Sequence, residues 1–265
     1  MLKSPLDIYK LLPQTNCQKC YLPSCLAFAA SVTKSEKNIH DCPELDSSLI
    51  VEIVENQQST RTSIEREQSE RISQLQIQIS KIDFDIHSRQ IGASIINDKL
   101  AISCLGKQFF ITADGNITSE CHINSWVTVP ILDYAVNCQG IEPNEKWIPF
   151  RELPNGKIWT PLYTQRCEIP LKNIVDNQTE LFEYLIDLFN GQTTESKFDS
   201  DISIILYPLP KIPILLCYWK PEDNMESMLN IFFDESAEEN LTIESIYLLL
   251  AGLVVMFEKI SLTHN

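Results

Sequence analysis

The sequence predicts an α+β protein in which a small cysteine-bearing module precedes an antiparallel sheet covered by helices. Four cysteines fall near the N-terminus, which indicates a small module at 1–45. A polar stretch follows, and Ile64 is the single large aliphatic residue of 57–71, which predicts a solvated helical connector at 46–80. Beyond it, short apolar runs alternate with turn signals and show no repeated βα units. An antiparallel-sheet domain is therefore predicted at 81–265.

The four N-terminal cysteines are unevenly spaced. They form a C-x2-C-x4-C-x16-C pattern made by Cys17, Cys20, Cys25 and Cys42. Three thiols share one short loop, and the fourth follows after about one helix. Ser24 lies near the start of this predicted helix, and Pro43 ends the segment just after the fourth cysteine. A [4Fe–4S] cluster needs four thiolates, one for each iron, and a compact loop lets backbone N–H groups approach its sulfurs. The pattern favours one such cluster at these cysteines.

Three other interpretations of this pattern remain open. Structural zinc sites usually show two Cys/His pairs separated by a longer insert, which differs from three clustered thiols and one distant thiol. Disulfides need an oxidising compartment, whereas the N-terminal sequence MLKSPLDIYKLLP has no apolar signal core. We therefore expect a cytoplasmic protein, and we favour iron–sulfur binding over zinc, and zinc over disulfides or unliganded thiols.

The residues around the cysteines also resemble a known family. The segment LPQTNCQKCYLPSCLAFAA, with the later DCP, resembles the N-terminal cluster module of the corrinoid iron–sulfur protein large subunit of the CO dehydrogenase/acetyl-CoA synthase system. Similar modules occur in Rnf-type electron-transport subunits. The resemblance implies that the four cysteines ligate one [4Fe–4S] cluster.

Two residues of the loop depart from that family. The family usually has glycine directly after its first and second cysteines, where glycine permits tight turns, and this chain has Gln18 and Tyr21 there. Lys19 could place positive charge near a cluster, and Tyr21 could shield the cluster from water.

The remaining five cysteines are scattered and form no C-x-x-C pair. We predict that they are buried as small apolar residues and do not form a second metal site. They are Cys104, Cys121, Cys138, Cys167 and Cys217.

The charge of the chain is unevenly distributed. The net charge is −15, and residues 1–43 carry five lysines against Asp7, Glu36 and Asp41, which gives +2 and leaves −17 for the remainder. The acidic part argues against nucleic acid and anionic membranes as partners. The most hydrophobic run, Ile246–Phe257, is too short to cross a bilayer, so we predict no membrane span.

Strands and helices of the larger domain follow from the apolar pattern. Predicted antiparallel strands are Lys99–Leu105, Gln108–Thr112, Asn116–Thr118, Ile202–Tyr207, Ile212–Trp219 and Ile231–Phe233. Predicted helices are Trp126–Val136, Leu171–Phe189 and 242–260. The turn signal Pro154-Asn155-Gly156 between Trp147–Glu152 and Lys157–Tyr163 predicts a hairpin or tight loop.

The larger domain also resembles an uncharacterised prokaryotic domain family found behind such cluster modules. The likeness is carried by Val129-Pro130-Ile131-Leu132-Asp133-Tyr134, by residues 147–154, by Leu209–Trp219 and by Ile231-Phe232-Phe233-Asp234. It implies no known reaction, and the usual nucleotide-binding, hydrolase and zinc-protease motifs are absent from the sequence. Catalytic residues are therefore unknown. Arg151, Glu152, Asp133, Tyr134 and Asp234 could line a pocket, but each is more often a structural group.

Two classes of function remain. The first is an iron–sulfur protein that relays one electron to a redox or corrinoid-dependent partner. The second is an accessory enzyme or small-ligand-binding protein of corrinoid or one-carbon metabolism whose 81–265 domain carries the activity. The corrinoid protein itself is disfavoured, because the remaining residues are too few and too poorly βα-patterned for the barrel that carries a corrinoid in the resembled family.

Overall fold

Two compact units make up the chain, Met1–Ser69 and Glu70–Asn265. The computed structural model describes residues 5–33, 37, 39–45, 66–121, 123–178, 181–195, 197–222 and 225–263. Of the predicted connector, 46–65 lies outside the described residues and 66–79 is helical (α3). Leu75 and Ile79 of α3 are buried in the core of the second unit. The predicted domain limits at 45 and 80 stay predictions.

In the described residues before 46, the first unit has two short helices around a small apolar core. Helix α1 covers Pro5–Leu11 and packs against α2, Cys25–Thr33, and a single 3₁₀ turn follows at Ile39–Asp41. The core contains Ile8, Leu12, Phe28, Ala29, Ile39 and Leu45 together with three of the four module cysteines.

The second unit begins its sheet structure with a four-stranded antiparallel meander. Its strands, in spatial order, are β1 (Ser94–Ile96), β2 (Lys99–Cys104), β3 (Lys107–Ile111) and β4 (Ile117–Ser119). Two-residue turns at Asn97-Asp98 and Leu105-Gly106 have positive φ at both positions, as tight hairpins require.

A second antiparallel sheet has five strands in the order β5-β9-β8-β7-β6. They are β5 (Trp147–Pro149), β6 (Gln192–Thr193), β7 (Ile202–Leu209), β8 (Ile212–Trp219) and β9 (Met228–Asp234). The central strand β8 is buried from Ile212 to Tyr218, which explains its continuous apolar sequence.

Helices cover these sheets. They are α4 (Phe84–Ile91), α5 (Ser125–Asn137), α6 (Gly156–Tyr163), α7 (Ile169–Asn177), α8 (Leu181–Phe189), α9 (Ala237–Asn240) and α10 (Ile243–Thr263). Helix α10 packs against α5, α6 and α7. The predicted α+β class with antiparallel sheets is confirmed. No described helix combines the length and the apolar character that a membrane span needs.

Two predictions about local structure are refined by the structure. Of the hairpin or tight loop predicted around Pro154-Asn155-Gly156, the tight turn is observed, and it lies between a 3₁₀ turn, Phe150–Glu152, and α6. Helical spacing lets Tyr163 of α6 stack on Phe150, with ring centroids 4.0 Å apart. The single helix predicted at Leu171–Phe189 is divided into α7 and α8, because Gln178 leaves helical geometry at φ −146°.

A buried carboxylate fixes one corner of the second sheet. Asp234, at the end of β9, accepts hydrogen bonds from the backbone N–H groups of Asn144 (2.9 Å), Glu145 (2.6 Å) and Ser236 (3.1 Å), and from the Ser236 hydroxyl (2.6 Å). It is fully buried. One side chain thus ties the loop before β5 to the end of β9.

Replacing Asp234 with alanine is expected to lower the free energy of unfolding by about 3 kcal/mol, because buried donors would lose their acceptor. Urea denaturation followed by tryptophan fluorescence measures this change. Glu235→Ala is the control, since Glu235 is partly exposed and pairs with Lys146 at the surface, and its effect should be much smaller. Equal stability of the two variants would show that Asp234 does not fix this corner.

Candidate metal centre

The four module cysteines lie on three connected pieces of the first unit. Cys17 and Cys20 belong to the loop between α1 and α2, and Cys25 is the first residue of α2. Cys42 directly follows the 3₁₀ turn Ile39–Asp41. Cys20, Cys25 and Cys42 are buried in the small core, whereas Cys17 is exposed. One candidate ligand therefore lies at the surface of the module.

The backbone of the cysteine loop turns repeatedly through the left-handed region. Gln14 (φ 58°), Asn16 (φ 49°) and Gln18 (φ 59°) occupy alternate positions, and Tyr21 (φ 61°) follows. Alternation between left-handed and ordinary residues can turn successive N–H groups toward one side, an arrangement that proteins use to bind anions, including iron–sulfur clusters. Gln18 and Tyr21 are the two positions at which the resembled family has glycine, so their conformation explains that preference.

Hydrogen bonds attach this loop to the start of α2. The backbone N–H of Cys25 donates to Asn16 Oδ1 (2.8 Å), and the backbone N–H of Ala27 donates to Ser24 Oγ (3.1 Å). Ser24 is thus the N-terminal cap of α2, as its position in the sequence indicated. Sequence reasoning missed the role of Asn16, although asparagine is enriched at left-handed positions and so carried a signal.

The four thiols lie close enough to affect one another electrostatically. Burial raises the pKa of the Cys42 thiol, a hydrogen bond from the backbone of Glu44 lowers it, and Cys20, Cys17 and Cys25 raise it further. Gathering four negative charges is unfavourable unless a cation or a cationic cluster core binds them.

Four thiols, from Cys17, Cys20, Cys25 and Cys42, are the donors that this site offers. Within the described part of the chain, no three His, Cys, Asp or Glu side chains converge as the ligands of a single metal ion would. A zinc ion draws each sulfur to about 2.3 Å from one point, whereas a four-iron cluster takes one thiolate at each of four separate irons. A donor set made only of thiols fits an iron–sulfur cluster.

Two predicted effects of neighbouring residues differ from the structure. Lys19 forms an exposed ion pair with Glu44, so much of its charge is compensated before it can act on a bound group. The hydrogen bond to Glu44, followed by the charge of Glu44, raises the pKa of Lys19. Tyr21 is 92% exposed, so it does not provide the shielding of the thiols from water that the sequence suggested.

The other cysteines lie in the second unit. Cys104, Cys138, Cys167 and Cys217 are buried and Cys121 is half-buried, so the prediction of buried small residues is confirmed for four of the five. Burial raises the pKa of Cys104 and of Cys167 to about 12, which keeps both thiols neutral at physiological pH.

The polar residues that could have lined a pocket are structural. Asp133 is fully buried and accepts hydrogen bonds from Asn137 (2.6 Å), Thr242 and Arg71. Tyr134 donates to the Ile91 carbonyl (2.6 Å) and accepts from the Lys211 N–H (3.1 Å).

Asp234 is held by its own donors, and Arg151 and Glu152 form an exposed pair at 3.9 Å. The hydrogen bonds of Asp133, Tyr134 and Asp234 are internal to the second unit. These side chains therefore have a structural explanation, and catalytic residues remain unknown.

The fold and the site define a protein made of a four-cysteine iron–sulfur module followed by an α+β domain. A family model described as "Domain of unknown function (DUF3786)" matches residues 83–256, which is more than half of the chain, and the chain belongs to this family. A second model, described as "Putative Fe-S cluster", matches residues 12–44 and includes all four cysteines. The match supports an iron–sulfur cofactor in the first unit.

The curated relatives match a short part of this chain. The gamma subunit of the acetyl-CoA decarbonylase/synthase complex of Methanocaldococcus jannaschii is 56% identical over 43 residues, which is 16% of this chain and 9% of that subunit. The gamma subunit of Methanothermobacter thermautotrophicus is 47% identical over 45 residues, 17% of this chain and 10% of the subunit. The corrinoid/iron-sulfur protein large subunit of Moorella thermoacetica is 45% identical over 38 residues, 14% of this chain and 8% of that subunit.

The chain thus spans about one tenth of the length of these curated relatives. The predicted resemblances, to the corrinoid-protein module and to an uncharacterised domain family, are confirmed. No solved structure matches the chain.

Replacing Gln18 or Tyr21 with glycine is expected to stabilise the loop by about 1 kcal/mol each, because glycine adopts positive φ without steric cost. Chemical denaturation of the cluster-loaded protein, followed by its visible absorbance, measures the effect. Thr15→Gly is the matched control, since Thr15 lies on the same loop but is not left-handed, and it should destabilise the loop. If all three glycine variants lost stability equally, the loop would not have the backbone described above.

Proposed function

We propose that Cys17, Cys20, Cys25 and Cys42 bind one [4Fe–4S] cluster and that the protein is a one-electron relay to a redox or corrinoid-dependent partner. The observation that carries the proposal is the gathering of four thiols in one small unit, three of them buried and one exposed. When bound, such a cluster supplies one reversibly held electron. In this proposal the cluster belongs to a module at 1–45. A connector at 46–80 joins this module to a separate domain at 81–265.

The number of thiols supports electron transfer over catalysis at an iron of the cluster. Four cysteines provide one ligand for each iron of a cube, which leaves no iron open for a substrate. The alternation of left-handed residues before Cys20 can aim backbone N–H groups at sulfur atoms, and a cluster brings inorganic sulfides that a single zinc ion lacks. A cluster in which each iron has a cysteine ligand therefore suits an electron relay.

Exposure indicates the side from which a partner would approach. Cys17 is exposed, and the exposed apolar side chains Tyr21 (92%) and Leu26 (45%) lie on the same short segment. Aromatic and aliphatic side chains at the centre of a contact supply much of the energy of protein association. Because electron transfer weakens steeply with distance, a partner bound at this segment would be well placed.

The nature of the partner is inferred from the relatives. Their names describe subunits of an acetyl-CoA decarbonylase/synthase complex and of a corrinoid/iron-sulfur protein, and the matched part is the module. A corrinoid-dependent protein is therefore our first candidate. The acidic remainder of the chain, with a charge of −17 outside residues 1–43, would act as a docking platform for a basic surface. A reducing compartment, the cytoplasm, completes the proposal, because free thiols persist there.

The alternative function, binding of a small ligand by the second unit, is favoured by one observation. A cavity of about 330 Å³ lies in that unit. Volumes from about 300 to 1,000 Å³ are usual for small-molecule sites.

Purified without oxygen, the protein is expected to contain about four irons and as many sulfides per chain, as one cube requires. Metal and acid-labile sulfide analysis measures both. Cys20→Ala should lose the cluster, whereas Cys121→Ala, outside the module, should keep the wild-type iron content. One zinc per chain without sulfide, or equal iron loss in both variants, would refute the ligand assignment.

The relay itself is tested by anaerobic mixing of the reduced protein with a purified corrinoid/iron-sulfur protein, followed by stopped-flow absorbance. The wild type is expected to transfer one electron per chain, and Cys20→Ala none, because one ligand of the cluster is missing. Circular dichroism should show that the variant keeps the fold of its second unit. Transfer by Cys20→Ala at the wild-type rate would contradict the relay, and failure of the loaded wild type would exclude this partner.

A further inference from the structure

An ion pair joins two parts of the first unit that carry module cysteines. Lys19 lies between Cys17 and Cys20 in the loop before α2. Glu44 lies two positions after Cys42. The Lys19 Nζ atom is 2.5 Å from Glu44 Oε1, although the two residues are 25 positions apart in the sequence. The fold therefore places this pair beside the candidate ligands and connects the cysteine loop with the segment of Cys42.

Each partner of the pair also acts on a candidate ligand. The hydrogen bond to Glu44 and then the charge of Glu44 raise the pKa of Lys19, partial desolvation lowers it, and the nearby Cys17 raises it again. Burial raises the pKa of the Cys42 thiol, and a hydrogen bond from the backbone N–H of Glu44 lowers it. Nearby charge and hydrogen bonds to the sulfur ligands are among the properties that set the reduction potential of a cluster.

The two charges of the pair have opposite effects on an electron held at the cysteines. Within two positions of a module cysteine, Lys19 is the single lysine or arginine, and Asp41 and Glu44 are the acidic residues. A reduced cluster carries one more negative charge than an oxidised one, so Lys19 stabilises the reduced form and Glu44 destabilises it. Because the charged groups are 2.5 Å apart, they act from nearly the same place, and their effects nearly cancel.

The exposure of the pair separates this effect from a role in folding. The Lys19 side chain is 60% exposed and that of Glu44 is 43% exposed. Exposed ion pairs contribute little to stability, so loss of either charge should leave the unit folded. A charge still acts across several ångströms of a water-like medium, because the screening length at physiological ionic strength is about 8 Å. The pair is thus better suited to set a potential than to stabilise the unit.

We propose that Lys19 and Glu44 form a charge-balanced pair that sets the reduction potential of the cluster, in which Lys19 raises the potential and Glu44 lowers it by a similar amount. This inference rests on the proposed function, since it requires a cluster at the four cysteines. It goes beyond that function by assigning the potential to two side chains that are not ligands.

Spectroelectrochemical titration of the cluster-loaded, full-length protein at low ionic strength tests the proposal. Glu44→Gln leaves Lys19 uncompensated and should raise the ratio of reduced to oxidised protein at a fixed potential about threefold, as expected for unit charges several ångströms apart in a water-like medium. For a one-electron couple, at 59 mV for each factor of ten, this ratio is a shift of about 28 mV. Lys19→Gln should lower the potential by a similar amount. The double variant K19Q/E44Q should lie near the wild type, because the two shifts cancel.

Two controls identify the shifts as local charge effects. Lys10→Gln removes the same charge from an exposed lysine of α1, outside the cysteine loop, and should keep the wild-type potential. Salt at 1 M, where the screening length is about 3 Å, should reduce the shifts of both single variants of the pair. Shifts in the same direction in Glu44→Gln and Lys19→Gln, no shift in either, or an equal shift in Lys10→Gln and Lys19→Gln would overturn the proposal.

Iron and sulfide analysis distinguishes a failure of this proposal from a failure of the proposed function. The wild type and the variants of Lys19 and Glu44 should all contain about four irons and as many sulfides, because no ligand is changed. A wild type without iron and sulfide would refute the cluster and the pair together. Fully loaded variants with the wild-type potential, or loss of iron in Glu44→Gln, would overturn the charge-balanced pair and leave the ligand assignment intact.

Discussion

The first unit must hold four thiols together, although thiolate charges repel one another and a small core provides little stability. The core of the first unit consists of a few side chains on α1, α2 and the following turn, and Cys20, Cys25 and Cys42 are part of it. The side chains of this core lie between Ile8 and Leu45, and segments of about 40 residues rarely fold stably on apolar burial alone and usually need a metal, disulfides or a partner. Under the proposed ligation, cluster binding and folding of this unit are therefore linked.

The second unit is stabilised differently. Its core combines the buried faces of two antiparallel sheets with the long helix α10, and Asp133 and Asp234 are fully buried with several donors each. Such a core needs no bound group to offset charge repulsion. Loss of a ligand in the module should consequently affect the second unit little, which is why the two proposed sites can be studied separately in one chain.

The sequence predicted those features that depend on local spacing. The cysteine pattern, the Ser24 cap, helix α5 and strands β2, β7 and β8 follow from residue type and periodicity. The sequence left a hairpin and a tight loop open near Pro154, and the tight turn is observed because stacking of Tyr163 on Phe150, a tertiary contact, favours a helix after the turn.

Other features could not be found in the sequence. The left-handed conformation of Gln18 and Tyr21 is unusual for such side chains, and propensity argues against it. The cavity is formed by residues as distant as Cys104, Phe189 and Met256, and only the packing of α10 brings them together.

The ligation of one cube by the four module cysteines is tested most directly by Mössbauer spectroscopy of protein loaded with the Mössbauer isotope of iron. The account predicts four irons that all have tetrahedral sulfur coordination, in the wild type but not in Cys20→Ala. A wild-type spectrum with one iron of different coordination, or with isolated irons that share no sulfide, would contradict it.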